Sequence, residues 1–338
     1  MTLPNHQTEN NNVRSATQGL RNAALAGFTS ILLGACAAGP QLSDYQITGP
    51  AVEIKGVPYL AQEGYQGGPA ALAMMLAGSG VHVTPADLVP QVYEAQRNDT
   101  SRPLLFTAAA HYGRVPYALH SHHMDLDMTR LVQAGHPVMV LLHTGAVSQQ
   151  WQFAVVVGVD PESSEFTLRT GTDGHKTMSY GDLIADWRDG GYWAMLVQRP
   201  GDIPDGFTAQ SWIAAAAPLE QAGKPEAALE AYAAVTQRWP QDVLGWEGLG
   251  NAYYALHNLT GATAAFQNAL NLAPRDASAH NNLAQVLLER QCADQAEEEV
   301  NFALRLETDP ARRAIYQRTL QQVQQHGGPS VVCPLGDQ

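Results

Sequence analysis

The chain is poor in cysteine, in positive charge and in long apolar stretches, and each shortage excludes a class of protein. Its 338 residues include only three cysteines, too few for a disulfide-dense scaffold. Lysine and arginine number 19 against 32 acidic residues, for a net charge of -13. Phosphate binding needs clustered cations, so we expect no nucleic-acid partner. The apolar stretch from Ala23 to Ala35 is too short to span a bilayer.

That same stretch has the organisation of a secretory signal. It ends in Leu33-Gly34-Ala35-Cys36, which resembles the lipobox of bacterial lipoproteins. We therefore expect residues 1–35 to be a signal peptide, Cys36 to carry lipid, and residues 36–49 to be a linker. Ala37 follows the cysteine, and resemblance to other lipoproteins then implies an outer-membrane protein facing the periplasm. The lipid anchor is the only membrane contact that we expect.

The most informative segment combines Gln62 with Gly67-Gly68-Pro69 and an apolar run. Proline suits the first position of a helix, and a thiol just before that helix would be activated by its dipole. Residues 57–93 resemble the start of the double-glycine, bacteriocin-leader type of papain-like cysteine peptidase. They are closer still to its lipoprotein branch with C-terminal tetratricopeptide repeats. The resemblance implies that Gln62 is the oxyanion-hole glutamine and that Gly67 replaces the catalytic cysteine.

The position of the catalytic base has changed as well. The family has Trp-His at the start of a buried strand, whereas this chain reads Trp151-Gln152 before Phe153-Ala154-Val155. An amide does not titrate at neutral pH, so Gln152 cannot act as a general base. Because both coupled positions have changed, we expect no thiol chemistry. For the third catalytic member, the sequence offers Asp160 after this strand or Arg169-Thr170 at the end of the next.

A groove can bind an extended peptide after its nucleophile is lost. We therefore expect a non-catalytic protein that binds peptides or proteins, with Gln66 and Trp151 contributing to peptide binding beside the degenerate positions. No cofactor motif is present. His120, His122 and His123 are clustered without the spacing of a metal site, so no metal is expected.

A constant spacing of key residues marks the C-terminal part. Trp212, Trp246 and His280 follow one another at equal intervals, and the same interval separates Pro240 from Pro274. The interval is about 34 residues, which is the period typical of tetratricopeptide repeats. Residues 207–326 are therefore predicted to form repeats with a polar capping helix, and residues 327–338 a tail.

The region from 50 to 200 has the pattern of an α+β, papain-like domain, with helices first and an antiparallel sheet after them. The expected helices are Pro69–Ala77, Thr84–Gln96, Leu104–Tyr112 and Met128–Ala134. The expected strands are Val138–Leu142, Phe153–Gly158, Phe166–Arg169 and Tyr192–Gln198.

Three questions stay open at the level of sequence. Cys292 and Cys333 either pair in an oxidising compartment or remain free thiols. The chain is alternatively a hydrolase with an unrecognised nucleophile, which requires Asp160, His143 and Gln62 to converge. A further alternative is a repeat scaffold whose first domain is only structural.

Overall fold

The computed structural model describes residues 48–61, 67–97, 99–119, 124–144, 150–171 and 173–326. Cys36, Gln62, Gln66, Cys333 and the three clustered histidines lie outside these ranges, and so do the signal peptide and most of the linker. The described residues all belong to one compact unit. Within the described ranges, no helix is both long enough and apolar enough to cross a bilayer.

The first domain is mainly helical in its first part, as the sequence predicts. Its helices are α1 (Gly67–Gly78), α2 (Pro85–Val92), α3 (Arg102–His111), α4 (Met124–Gln133) and α5 (Tyr180–Asp189). Thr84 caps α2 by accepting a hydrogen bond from the Asp87 N–H, as is common for threonine.

The expectation of one helix from Thr84 to Gln96 is wrong. The helix ends at Val92 because Tyr93 and Glu94 pair with Thr100 and Asp99 in a short hairpin.

The sheet is antiparallel throughout. Its strands are β1 (Val52–Glu53), β4 (Val115–Ala118), β5 (Val138–Thr144), β6 (Gln150–Asp160), β7 (Glu165–Thr170), β8 (Asp173–Ser179) and β9 (Ala194–Gln198), with the separate hairpin made by β2 (Tyr93–Glu94) and β3 (Asp99–Thr100). The order is β4-β9-β5-β6-β7-β8, and β1 pairs with the far part of β6. Helices before an antiparallel sheet confirm the fold class expected for this domain.

Alternation along the central strands creates two cores. Phe153, Val155 and Val157 lie in the core with α1, α2 and α3, whereas Ala154 and Val156 lie in the core with α4 and α5. Successive residues of a strand point to opposite faces, so the register of β6 decides which side chains can meet α1.

The C-terminal part is an all-helical array with the expected period. Paired helices begin at residues 209, 243 and 277, with the same interval between successive starts. The helices are α6 (Ala209–Gln221), α7 (Pro225–Arg238), α8 (Val243–Ala255), α9 (Leu259–Leu272), α10 (Ala277–Glu289), α11 (Ala293–Leu306) and α12 (Pro310–His326).

Small residues let the paired helices of the array approach closely. A Cβ added at Gly250 would lie 2.7 Å from the Phe266 ring, and one at Gly248 would lie 2.6 Å from Tyr232. Equivalent positions also keep equivalent hydrogen bonds. Trp246 donates its indole N–H to the Pro240 carbonyl at 2.9 Å, and the His280 ring lies 3.2 Å from the Pro274 carbonyl.

The two parts share a core. Val115 of β4 and Ala110 of α3 lie in one buried cluster with Trp212 and Ala216 of α6. The repeat array is therefore packed directly on the first domain.

Candidate functional site

The site expected from the sequence centres on the start of α1. This helix begins at Gly67 and Gly68, and the residues that follow are buried. A Cβ added at Gly68 would lie 2.4 Å from Cγ2 of Thr100, closer than packed carbon atoms approach. The helix start is thus packed onto β3, and position 67 has no side chain that could attack a carbonyl.

Gln152 lies near the start of β6, opposite Leu142 of β5. A Cβ added at Gly171 would be 2.6 Å from its amide nitrogen, so the Gln152 side chain lies against the turn that follows β7. Tyr59 donates a hydrogen bond to the Gly171 carbonyl at 3.0 Å. This turn therefore meets both Gln152 and the segment that precedes α1.

The residues proposed as a third catalytic member do not supply a carboxylate to Gln152. Arg169 binds the Glu53 carboxylate at 2.8 Å, and the Thr170 hydroxyl lies 3.4 Å from the Phe153 carbonyl. Asp160 is at the opposite end of β6, about 25 Å from Gln152 at the usual rise of a strand. There its carboxylate accepts the N–H groups of Glu162 and Ser163. The side-chain hydrogen bond of Ser163 and these two backbone bonds lower the pKa of Asp160.

The His143 ring lies against the Trp151 ring at a tilt of 36°, with ring centroids 4.6 Å apart. The two residues face each other across β5 and β6. Asp160 lies at the far end of β6 from Trp151, so the structure does not bring Asp160 and His143 together. The convergence that the unrecognised-nucleophile alternative requires is not formed.

Trp151 stands at a cleft beside the start of α1. Its side chain is 59% exposed and lines a cavity of about 320 Å³. Thr100, which packs on Gly68, lines the same cavity. The remaining lining residues are Asp99, Arg102, Leu141, Phe153, Asp189, Gly190 and Gly191.

The cleft and Gln152 lie on different sides of β6. Trp151 shares the face of Phe153, and Gln152 shares the face of Ala154. The sequence motif suggested that Trp151 and Gln152 act at one place, but the strand alternation separates their side chains. Two of the charged lining residues, Asp99 and Arg102, come from the unexpected hairpin and from the start of α3, and no sequence pattern pointed to them.

A second pocket opens on the face made by the first helices of successive repeats. It has a volume of about 430 Å³ and is lined by Tyr254, Gln285, Leu288, Glu289 and Gln322. The Tyr254 hydroxyl donates to the Glu289 carboxylate. Burial and this hydrogen bond raise the pKa of Tyr254 to about 12.

One carboxyl group of the array has a strongly perturbed environment. Glu247 of α8 faces Asp276, whose carboxylate caps α10 by accepting the N–H groups of Ser278 and Ala279 at 2.8 and 3.1 Å. Burial, followed by the charge and the hydrogen bond of Asp276, raises the pKa of Glu247 to about 7. Its buried Oε1 has no hydrogen-bond partner among the described residues.

Two further expectations concern cysteine and metal. Cys292 is buried and takes part in a disulfide bond, and the two other cysteines of the sequence lie outside the described ranges. Across the part of the chain that the structure describes, no three His, Cys, Asp or Glu residues are grouped as metal ligands.

Comparison with known proteins identifies the repeats. Residues 250–290 match the family model described as TPR repeat. No curated protein matches the sequence.

Several solved structures resemble parts of the chain. A C39-like peptidase from Bacillus anthracis is 15% identical, with 44% of this chain and 98% of that chain covered and a TM-score of 0.37. The TPR2B domain of yeast Sti1, in its complex with pHsp70, is 17% identical over 35% of this chain and 96% of that chain, with a TM-score of 0.33. The chaperone SycD of Yersinia enterocolitica, bound to a peptide of the translocator YopD, is 18% identical over 34% of this chain and 92% of that chain, with a TM-score of 0.33.

Proposed function

We propose that this chain is a non-catalytic envelope lipoprotein that holds an extended peptide, or an extended segment of a protein, in the cleft at Trp151. One observation carries the proposal. An exposed aromatic side chain stands over a cleft at the start of α1, while positions 67 and 152 carry neither a thiol nor an imidazole.

The chemistry of the cleft suits a peptide better than a compact metabolite. Its floor is apolar, with Leu141 and Phe153 buried in the core beneath it. Trp151 adds a flat ring that can cover a peptide side chain, and Asp99 and Arg102 offer charges of both signs on the rim. An apolar groove with a few polar groups that fix orientation is the usual form of a recognition site.

The repeat array supplies a second binding surface in this proposal. Tetratricopeptide repeats stack into extended surfaces that bind proteins, and residues 250–290 match that family. The pocket at Tyr254 and Glu289 lies on such a surface. Two separate sites on one compact unit would let the protein bring two partners together, or hold one partner at two points.

The lipobox ending at Cys36 supports an anchor in the bacterial envelope. An outer-membrane protein facing the periplasm is the location that this anchor and Ala37 favour. We propose no nucleic-acid partner, because the net charge is -13.

The catalytic question is tested with purified full-length protein, a fluorogenic peptide substrate and a thiol-reactive probe. We expect no turnover that a thiol-protease inhibitor abolishes, since the described helix start lacks a nucleophile. Inhibitor-sensitive turnover that disappears in Gln152→Ala would refute the proposal.

Binding is tested with an immobilised library of extended decapeptides and two matched variants. Trp151→Ala removes the exposed ring of the cleft, and Leu244→Ala removes a side chain of the array that is 54% exposed. We expect Trp151→Ala to lose most peptide capture and Leu244→Ala to retain it. The opposite result would favour a repeat scaffold with a structural first domain. Point variants are preferable to deleting the array, since deletion would expose the core shared by Val115 and Trp212.

A further inference from the structure

Two arginine side chains converge on the turn that follows α1, on the side of the first domain near α7. Arg114 precedes β4 and Arg199 follows β9, and the pairing of Val115 with Gln198 places the two arginines opposite each other. Like charges placed opposite each other on antiparallel strands are destabilising. The arrangement therefore calls for a compensating group.

Hydrogen bonds fix both guanidinium groups while leaving some of their N–H groups free. The Arg114 Nε lies 3.1 Å from the Ser79 carbonyl and 3.1 Å from the Ser79 hydroxyl, and its Nη1 donates to the Gly113 carbonyl at 3.1 Å. The Arg199 Nε donates to the same Ser79 carbonyl at 3.2 Å. These bonds orient the two planar groups, and neither Nη2 atom has a hydrogen-bond partner among the described residues.

Both Nη2 atoms lie near one place, the exposed Gly80. A Cβ added there would lie 3.5 Å from Nη2 of Arg199 and 3.8 Å from Nη2 of Arg114. The two nitrogens therefore border a single open position that both can reach. A side chain at this residue would fill that position, and glycine leaves it empty at a φ of +90°.

The described residues offset the positive charge at Gly80 only in part. Neither arginine forms an ion pair with any described residue within 4.0 Å. The acidic side chain that influences Arg114 is Glu230, which lies over Gly201, with Oε1 2.9 Å from a Cβ added at that glycine. Burial and the charge of Arg199 lower the pKa of Arg114, as expected for a cation that lacks a close counter-charge.

We propose that Arg114, Arg199 and the Gly80 turn form a binding site for a tetrahedral oxyanion, a phosphate or sulfate group. Guanidinium groups bind such anions through paired hydrogen bonds. Two of them suit a group of charge near -2 that presents oxygens in several directions, more than a planar monoanionic carboxylate. The site lies on the opposite end of α1 from the cleft at Trp151, so it is separate from the proposed peptide site.

The test measures binding of inorganic phosphate and of phenyl phosphate to the full-length protein by calorimetry, with acetate as the carboxylate control. Arg199→Gln removes the exposed guanidinium, and Arg97→Gln removes the same charge from an arginine that is 73% exposed elsewhere. We expect phosphate affinity to fall at least about tenfold in Arg199→Gln, the usual cost of losing charged hydrogen bonds. Arg97→Gln should bind as the unmodified protein does.

Arg199→Lys keeps the positive charge but lacks the paired N–H groups of the guanidinium, so it should bind phosphate with intermediate affinity. Circular dichroism establishes that each variant is folded before binding is measured. Tighter binding of phenyl phosphate than of inorganic phosphate would identify a phosphorylated molecule as the natural ligand, and the reverse would identify the free ion. Equal affinity for phosphate and acetate, or equal phosphate binding by Arg199→Gln and Arg97→Gln, would overturn the proposal.

Discussion

Because Glu247 is close to Asp276, we expect the free energy of unfolding to depend on pH. Replacing Glu247 by glutamine removes an acid whose pKa is raised from 4.5 to about 7 by burial and by Asp276. Glutamine keeps the size and can donate an N–H to the Asp276 carboxylate. The next repeat already has a neutral amide, Asn281, at the equivalent position.

The direction in which stability changes with pH follows from proton binding. Between pH 4.5 and about 7 the folded chain holds a proton on Glu247 that the unfolded chain has lost. This contribution to stability is complete below pH 4.5 and is lost as the pH rises through about 7. The shift corresponds to about 3 kcal/mol. Since the side chain is only partly buried, we expect about 1 to 2 kcal/mol.

Urea unfolding at constant ionic strength, from pH 5 to pH 8, measures this effect. We expect Glu247→Gln to match the unmodified protein at pH 5 and to exceed its free energy of unfolding at pH 8. Glu298→Gln, at an exposed glutamate of α11, controls for loss of one charge. The pKa of His280 is also raised overall, with burial opposed by its hydrogen bond to Glu299, but His280 is present in both proteins and cancels. Parallel stability curves for Glu247→Gln and the unmodified protein would refute the reasoning.

Two further predictions concern packing and the disulfide. Gly68→Ala should destabilise the protein by about 1 to 3 kcal/mol in urea unfolding because the new methyl group meets Thr100. At the control position Gly181 an added Cβ has nothing within 4 Å, so Gly181→Ala should change the free energy of unfolding by less than about 0.5 kcal/mol. Equal effects of the two substitutions would show that the contact with Thr100 does not matter. Cys333→Ser should lower the melting temperature as much as reduction of the unmodified protein does, since closing a loop of about 40 residues stabilises by up to about 4 kcal/mol. An unchanged melting temperature, or a peptide map that joins Cys292 to Cys36, would show that Cys333 is not the partner.

The repeat array could be predicted closely from the sequence because its signals are local. The constant period fixes the helix starts, and Thr208, Asp242 and Asp276 precede three of them as caps that recur with the same period. The central strands were also predictable, since β5 and β6 are nearly continuous apolar runs.

The strands that the sequence did not reveal lack the apolar signature of a strand. Asp173–Ser179 is polar and mostly exposed, and Val115–Ala118 contains Pro116, which argues against a strand. Helix α5 could have been predicted from the sequence. Ser179 accepts a hydrogen bond from the Asp182 N–H, and a serine three residues before an acidic residue is typical of a helix start.

The candidate site was predictable only where the family motif reaches. Gly67 and Gln152 could be found because the residues around them resemble the motifs of the peptidase family. Asp99, Arg102 and Asp189 line the cleft only through tertiary packing of a hairpin and a turn. The separation of the Trp151 and Gln152 side chains follows from the strand register. It could not be inferred from the fact that the two residues are adjacent in the sequence.

The contact between β4 and α6 has a consequence for how the chain can be altered. Strand β4 is the last in its row of the sheet and would otherwise offer unpaired backbone groups to another chain. Helix α6 is the first of the stack and would otherwise expose the apolar side of Trp212 and Ala216. Because these two surfaces cover each other, repeats added next to α12 would lengthen the array without disturbing the contact between β4 and α6.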